Sequence, residues 1–221
     1  MKERGKRVFV SSTVYGIEEL LERIYSRLTA LGYEVMMSHK GTVPVSSQKT
    51  TFENCIEAVR ACDLFLGIIT PSYGSGVDPD DASGLSITHQ EFREAMRLSK
   101  PRWALVHDHV VFMRDYLNKL GFRHVDGRGR LRTTVRTLVS DEDAKMARRT
   151  FDLRSIDLYE EVIQDHAGKD RVPLSERKGN WVQPFALAAD GELFAYSQFS
   201  RYQEAEAFVG ENFGKKDGGR K

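Results

Sequence analysis

The 221-residue sequence has few of the features that mark secreted, membrane-spanning or strongly charged proteins. It contains only two cysteines, Cys55 and Cys62, which leaves no disulfide framework and no zinc-ligand spacing, so we expect a reducing, cytoplasmic location. The first apolar run, at residues 8–10, is too short for a signal peptide or a membrane span. Since 33 basic residues balance 32 acidic ones, the net charge is too small to favour nucleic acid or a lipid surface as partner.

The sequence also lacks the glycine-rich signatures of two common nucleotide-binding folds. No Gly-x-x-x-x-Gly-Lys occurs, which argues against P-loop nucleotide hydrolysis. Gly74-Ser75-Gly76 continues with Val77-Asp78-Pro79, so the Gly-x-Gly-x-x-Gly pattern of Rossmann dinucleotide sites is absent. If the chain binds a nucleotide, it does so through another kind of site.

What the sequence does contain is an alternation of short apolar runs and amphipathic segments. Runs typical of buried strands lie at residues 8–10, 33–37, 64–69 and 103–106. The 3.6-residue period and the stop signals predict helices at 17–31, 51–61 and 107–120. A further helix, which contains Glu91, is predicted to end just before the proline at 101. Because strands that alternate with helices favour parallel pairing, we expect a doubly wound α/β fold with a mainly parallel sheet.

The second half of the chain is less regular and suggests a boundary near residue 168. Before it, residues 134–139 have strand-like composition, and helices are expected at 141–150 and 155–165. We expect residues 1–168 to form the α/β domain, 169–213 a small α+β extension, and 214–221 a disordered tail.

Within the extension, two apolar segments flank Asp190-Gly191, a dipeptide typical of tight turns. Residues 181–187 and 192–199 are therefore predicted to form a hairpin, followed by a helix at 202–213. The chain could also be a piece of a longer protein.

Glu91 is the candidate catalytic residue. It follows a buried strand and a glycine-bearing loop, which is where open α/β sheets place ligands. The spacing Thr88-x-x-Glu91 also matches a capping box, in which Glu91 binds the start of its own helix and needs no ligand. A carboxylate that faces the crevice could instead stabilise or capture a ribosyl cation, or bind ribose hydroxyls. The pattern leaves both roles open.

Hydroxyl and imidazole groups follow the other predicted strands at the same edge of the sheet. Ser11, Ser12 and Thr13 could cap the next helix, or bind phosphate through hydroxyl and free N–H groups. Ser38, after the second strand, and His107, after the fourth, are further candidate ligand-binding residues. Since adjacent residues of a turn such as His107-Asp108-His109 rarely converge on an ion, we expect no metal.

Several motifs, taken in order, resemble the DUF4062 family, which is usually described as TIR-like and related to nucleoside deoxyribosyltransferases. The resemblance covers residues 6–120 well and 151–161 more loosely. The motifs are Arg-Val-Phe-Val-Ser-Ser-Thr at 7–13, Cys-Asp-Leu-Phe-Leu-Gly-Ile-Ile at 62–69, Tyr73-Gly74, Ser-Ile-Thr-His-Gln-Glu-Phe at 86–92, and Lys100-Pro101.

The resemblance implies a flavodoxin-like sheet and a candidate site. In enzymatic TIR domains and deoxyribosyltransferases, a glutamate on the helix after the third strand acts on the bond between ribose and base, and Glu91 matches that position. The hydroxyl turn at residues 11–13 would then lie near ribose or phosphate, with Tyr73 and Gly74 near the base or the pocket wall. NAD or a nucleoside would be the substrate, with no cofactor or metal.

Two hypotheses remain open. The first is an NAD(P)+ nucleosidase in a bacterial stress or antiphage defence system, acting as a homo-oligomer or with a further effector domain. The second is a non-catalytic nucleotide-signal sensor or protein-interaction adaptor of the same fold. Three departures from the resemblance matter. The loop at 77–85 is longer and more acidic than in compact deoxyribosyltransferases, and the residues before Glu91 do not copy the Trp/Cys-bearing motif of many active TIR domains. The residues after Gly168 have no counterpart in a minimal TIR domain.

Overall fold

A computed structural model describes residues 5–74, 84–120, 151–167, 181–202 and 204. The strands are β1 (Arg7–Ser12), β2 (Glu34–Met36), β3 (Leu64–Ile69), β4 (Arg102–His107) and β5 (Trp181–Phe185). The helices are α1 (Glu18–Ala30), α2 (Thr51–Ala61), α3 (Ile87–Arg97), α4 (Asp108–Lys119), α5 (Arg154–Ala167) and α6 (Ala188–Ser200), with a short 3-10 helix at Ser38–Lys40.

The strands form one parallel sheet in the order β2-β1-β3-β4-β5. Alternate residues of β1 enter different hydrophobic clusters: Phe9 packs on the side of α2 to α5, and Val10 on the side of α1 and α6. Every residue of β3 is buried, as expected for a central strand covered on both faces. The predicted doubly wound α/β fold is therefore confirmed.

The strand order reverses between β1 and β3, because β2 lies on one side of β1 while β3 to β5 lie on the other. Ser11 is paired with Gly67, and Ser12 with Ile68. The chain leaves β1 toward one face of the sheet and β3 toward the other, and such a point is the usual ligand position in open α/β sheets. The fold therefore singles out the carboxyl ends of β1 and β3.

Gly67 brings α3 close to this edge. A Cβ atom at Gly67 would lie only 2.0 Å from Cζ of Phe92, so the absence of a side chain makes room for the ring. Phe92 also packs edge-on against Phe65, with ring centroids 5.2 Å apart. Because Phe92 packs on β3, the neighbouring Glu91 lies close to the carboxyl end of β1.

The hairpin predicted around Asp190-Gly191 is wrong. β5 pairs in parallel with β4, and the second half of the predicted hairpin is helix α6. The Asp190 carboxylate accepts the backbone N–H of Leu187 at 3.0 Å and so stabilises the start of α6. A Cβ atom at Gly191 would lie 2.8 Å from Leu20 Cδ1, so this glycine allows close packing of α6 on α1 instead of forming a turn.

The remaining differences concern bounds and coverage. α1, α4 and β2 are each shorter by a residue or so at both ends than predicted. The strand expected at 134–139, the helix at 141–150, the boundary at 168, most of the helix at 202–213 and the tail at 214–221 lie outside the described residues. In the described part of the chain, no helix is long and apolar enough to cross a membrane.

Candidate functional site

Helix α3 begins two residues earlier than the predicted capping box requires. Ser86 is its N-cap, and the Ser86 hydroxyl accepts the backbone N–H of His89 at 3.3 Å. Glu91 therefore lies in the second turn, beyond the free N–H groups of the helix start. The predicted capping box between Thr88 and Glu91 is wrong, since a hydroxyl two residues earlier already fills that role.

Glu91 instead contacts β1 and α2. Its side chain is buried, with 4% of its surface exposed. The Ser11 hydroxyl donates a hydrogen bond to Glu91 Oε2 at 2.5 Å, and the Cys55 thiol on α2 donates a second one. Three elements, β1, α2 and α3, thus meet at this carboxylate.

The surroundings of Glu91 favour its neutral form. Burial raises the pKa of Glu91 to about 7, while the hydrogen bonds from Ser11 and Cys55 lower it and offset part of that rise. Among the described residues, no basic side chain forms an ion pair with Glu91. A carboxyl group of this kind exchanges its proton near neutral pH, which suits general acid–base chemistry.

Buried hydroxyl groups surround the same strand ends. Thr13, after β1, and Thr70, after β3, share a hydrogen bond of 2.7 Å. Gly74 has a φ of +104°, and a Cβ atom there would lie 3.1 Å from Thr13 Cγ2 and 3.3 Å from Thr88 Oγ1. The turns after β1 and β3 and the start of α3 therefore come together at the point where the strand order reverses.

Tyr73 lies in the wall of this region. Its hydroxyl is 2.5 Å from His89 Nδ1, and the Arg154 guanidinium lies 4.4 Å from the centroid of its ring. Burial raises the pKa of Tyr73 to about 12, so the phenol remains protonated at neutral pH. The hydroxyl faces His89, and the ring is held between α3 and α5.

Ser12, Ser38 and His107 have other described contacts. The Ser12 hydroxyl donates to the carbonyl of Thr13 at 2.6 Å, and Ser38 is exposed at the start of the 3-10 helix. His107 caps α4, because its Nδ1 accepts the N–H of His109 at 3.2 Å. Among the contacts described, none joins these three residues to Glu91.

His107, Asp108 and His109 form a separate cluster at the end of β4. Each offers one donor atom, and these atoms lie within 4.8 Å of one another, so the group could hold a metal ion. Burial lowers the pKa of His107, which favours the neutral imidazole that metals bind. The expectation that the chain binds no metal stays a prediction.

Cys55 is a partner of Glu91 that was not among the candidate site residues of the sequence analysis. It lies on the inward face of α2, one turn from the start of that helix. Helices of a parallel fold begin near the carboxyl ends of the strands, so this position is in the same layer as Glu91. An inward-facing thiol near a helix start was the signal that could have identified it.

A family model described as "Domain of unknown function (DUF4062)" matches residues 7–120, which is more than half of the chain. The chain belongs to the DUF4062 family. This membership confirms the resemblance drawn from the motifs. Of the described helices, α5 and α6 lie beyond the matched residues of the DUF4062 domain.

Among solved structures, the chain is similar to a 2-deoxyribosyltransferase from the psychrotolerant bacterium Bacillus psychrosaccharolyticus, described as a biocatalyst for the synthesis of nucleosides. The two share 21% sequence identity with a TM-score of 0.31, over 45% of this chain and 72% of the other. None of the curated proteins matches the chain.

Proposed function

We propose that this DUF4062 chain cleaves the N-glycosidic bond of a nucleotide, with Glu91 as the reacting carboxylate. The observation that carries the proposal is a buried glutamate at the carboxyl ends of β1 and β3, hydrogen-bonded by Ser11 and with its pKa raised to about 7. Burial of a carboxyl group without a cation is costly, and such costs are typical of functional sites.

In the proposed chemistry Glu91 begins as a carboxylate and becomes protonated as water attacks. When the bond between C1′ and the base nitrogen breaks, the electron pair leaves with the base and positive charge develops on the ribose. The ionised Glu91 carboxylate stabilises that charge and accepts a proton from the water that attacks C1′. The products are the free base and the ribosyl compound with a hydroxyl at C1′. The nicotinamide of NAD is a cation in the substrate and leaves as a neutral base, so the proton on Glu91 passes to solvent; a base that leaves as an anion takes that proton instead.

The hydroxyl-rich turns fit the rest of such a substrate. Thr13, Thr70 and Thr88 supply groups that can donate to or accept from ribose hydroxyls. The N-termini of α2 and α3 lie at the same edge, and backbone N–H groups at helix starts favour phosphate. The threonine hydroxyls and the helix N-termini together suit a phosphorylated ribose as the ligand.

The narrower parts of the proposal come from the resemblance to TIR domains. NAD is the substrate we propose to test first, and antiphage or stress defence is the proposed setting. Because Glu91 is only 4% exposed, substrate reaches it after a local movement of the residues that cover it. We propose that assembly of several chains, or a further effector domain, favours that open state.

The burial of Glu91 also favours a second candidate function. A carboxylate enclosed by Ser11 and Cys55 can be part of a fixed scaffold in a module that senses a nucleotide or binds a protein partner without catalysis. In that case Glu91 shapes the site and takes no part in bond cleavage.

The test compares NAD loss and nicotinamide release by the wild-type chain, Glu91→Gln and Glu94→Gln, at high protein concentration with and without a crowding agent. Glu94 lies one turn further along α3 and is bound by Arg60 and Arg97, which makes it a matched control. We expect Glu91→Gln to reduce the rate by about 10²-fold or more and Glu94→Gln to retain it. Equal cleavage by wild type and Glu91→Gln, or no cleavage in any assembled state, would favour the non-catalytic function.

A further inference from the structure

Helix α5 lies outside the residues matched by the family model, yet it is joined closely to the turn after β3. The backbone N–H of Asp152, just before α5, donates to the carbonyl of Pro71 at 2.9 Å. The Ser155 hydroxyl donates to the same carbonyl at 3.3 Å, and Arg154 lies over the ring of Tyr73. The start of α5 therefore supports the turn that leads to Gly74.

A second connection runs through the interior. His89, which is 1% exposed, lies between the Tyr73 hydroxyl and the Glu161 carboxylate. Its Nδ1 is 2.5 Å from Tyr73 Oη, and its Nε2 is 3.1 Å from Glu161 Oε2. The contact between Nε2 and Glu161 Oε2 is short but poorly aligned for a hydrogen bond, so it is an electrostatic contact. Nε2 has no hydrogen-bond partner among the described residues.

The charge of Glu161 determines how this chain of contacts is protonated. Burial raises the pKa of Glu161, but the contact with His89 and the hydrogen bonds from Arg93 outweigh it and hold the pKa at about 2. An ionised carboxylate so close to Nε2 requires a hydrogen on that nitrogen, because a lone pair there would be repelled. In the neutral imidazole Nδ1 is then the acceptor, and the Tyr73 hydroxyl donates to it.

The order of contacts is therefore Tyr73 O–H to His89 Nδ1, and His89 Nε2–H to Glu161. It fixes the phenol at the far end of the chain, and with it the next residue, Gly74. Gly74 lies directly against Thr13 and Thr88 in a left-handed conformation. A change at Glu161 is thereby transmitted to the wall of the site that contains Glu91.

We propose that Glu161 is a positioning residue of the candidate site, which acts through His89 to hold the Tyr73–Gly74 turn against Thr13 and Thr88. Helix α5 then belongs to the functional unit, although it lies beyond the matched region of the family. The kinetic part of the test below rests on the proposed function, whereas the spectroscopic part does not.

The neighbouring residue provides a matched control. Glu160 and Glu161 are adjacent on α5, and each pairs with an arginine of another helix, Glu160 with Arg114 on α4 and Glu161 with Arg93 on α3. Only Glu161 also contacts His89. Glu160→Gln and Glu161→Gln therefore both remove an ion pair between helices, but only Glu161→Gln removes the charge next to His89.

The first measurement is NMR of the two variants and the wild type. Long-range proton–nitrogen spectra of His89 report which ring nitrogen carries the hydrogen, and the amide signals of Tyr73, Gly74 and Thr13 report the position of the turn. We expect a fixed Nε2–H tautomer in the wild type and in Glu160→Gln. In Glu161→Gln we expect a mixture of tautomers and displaced amide signals at residues 73 and 74.

The second measurement separates binding from chemistry. We expect Glu161→Gln to raise KM for NAD about tenfold with kcat within about twofold of wild type, since a displaced wall weakens binding of ground state and transition state alike. Glu160→Gln should leave KM unchanged. A Glu161→Gln variant whose His89 tautomer and Tyr73 and Gly74 signals match those of Glu160→Gln would overturn the positioning role. A wild-type chain without cleavage would count against the proposed function alone, because the NMR comparison does not depend on turnover.

Discussion

Helix α3 carries two buried glutamates, Glu91 and Glu94, whose surroundings act on them in opposite directions. Glu91 faces the carboxyl ends of the strands, and burial raises its pKa to about 7. Glu94, one turn further along, is hydrogen-bonded by Arg97 and Arg60, and these bonds lower its pKa to about 2 against the effect of burial. Both side chains have little exposed surface, 4% and 9%, but Glu91 lies deep in the interior and Glu94 lies close to the surface beside its arginines.

The comparison shows that depth of burial and the charge of the partners together set the protonation of a carboxylate on this helix. The hydroxyl of Ser11 and the thiol of Cys55 are neutral donors, and they offset only part of the cost of burying Glu91. The two arginines beside Glu94 bring a full positive charge to the same kind of group. One helix therefore holds a proton-exchanging group and a structural ion-pair network on successive turns.

The largest expected effect concerns stability against pH. Because the folded pKa of Glu91 lies above the unfolded value, its contribution to stability is fully present below pH 4.5 and is lost as the pH rises through about 7. Relative to Glu91→Gln, the wild type should lose roughly 3 kcal/mol of unfolding free energy across that window. Urea unfolding of both proteins at several pH values measures the difference. A difference that does not change with pH would show that Glu91 is ionised throughout.

The next effect tests how α3 is placed. An alanine at Gly67 would drive its Cβ into the Phe92 ring, so α3 must shift and carry Glu91 away from Ser11. We expect Gly67→Ala to lower the unfolding free energy by about 2 kcal/mol and to reduce cleavage more than Glu94→Gln does. Thermal unfolding and NAD loss measured on the same samples give both quantities. Unchanged activity in a destabilised Gly67→Ala would mean that the distance between Glu91 and Ser11 is unimportant.

A smaller effect is expected when the Glu94 carboxylate, which pairs with two arginines, is removed. Glu94→Gln should cost about 1 kcal/mol at neutral pH, because both arginines are more than half exposed and solvent screens the pairs. The sign is opposite to that of Glu91: the Glu94 contribution is present above pH 4.5 and is lost as the pH falls through about 2. Unfolding curves at neutral and acidic pH check this, and a cost that is larger in acid would be inconsistent with the ion pairs.

The smallest effect concerns the thiol next to Glu91. Cys55→Ala removes a donor to the carboxylate, so the pKa of Glu91 should rise by about half a unit. Cys62→Ala is the control, since the Cys62 thiol donates to the carbonyl of Val59 at 3.0 Å. Titration of carbon-13-labelled glutamate by NMR follows Glu91 directly. Identical titrations in the two variants would remove Cys55 from the site.

Much of the architecture was predictable because it follows from repeated local patterns. The run at 64–69 is apolar throughout and became the central strand, and the convergence of Glu91 with Ser11 follows from parallel strands ending at one edge. The prediction of the capping box failed because Ser86 and Thr88 are both residue types that cap helices, and the path of the chain into α3 decides between them. The prediction of a hairpin around Asp190-Gly191 failed because the same dipeptide suits both a tight turn and a helix start.

The contacts that tune the site were not predictable. Cys55 and Glu161 reach α3 from other helices, and their positions depend on how α2 and α5 pack on it. No local pattern carries that information, because a thiol or a carboxylate on a helix face has the same sequence signature whether it meets solvent or a buried partner.

The pH dependence of NAD cleavage by the wild-type chain tests most directly whether Glu91 is the reacting carboxylate. Ionised Glu91 is the form that accepts the proton from water, so kcat/KM should rise with pH and reach half its maximum near the Glu91 pKa of about 7. The same rise should be absent from the residual activity of Glu91→Gln. A wild-type profile that is flat across this range, or that has its midpoint near the ordinary value of 4.5, would contradict this role for Glu91.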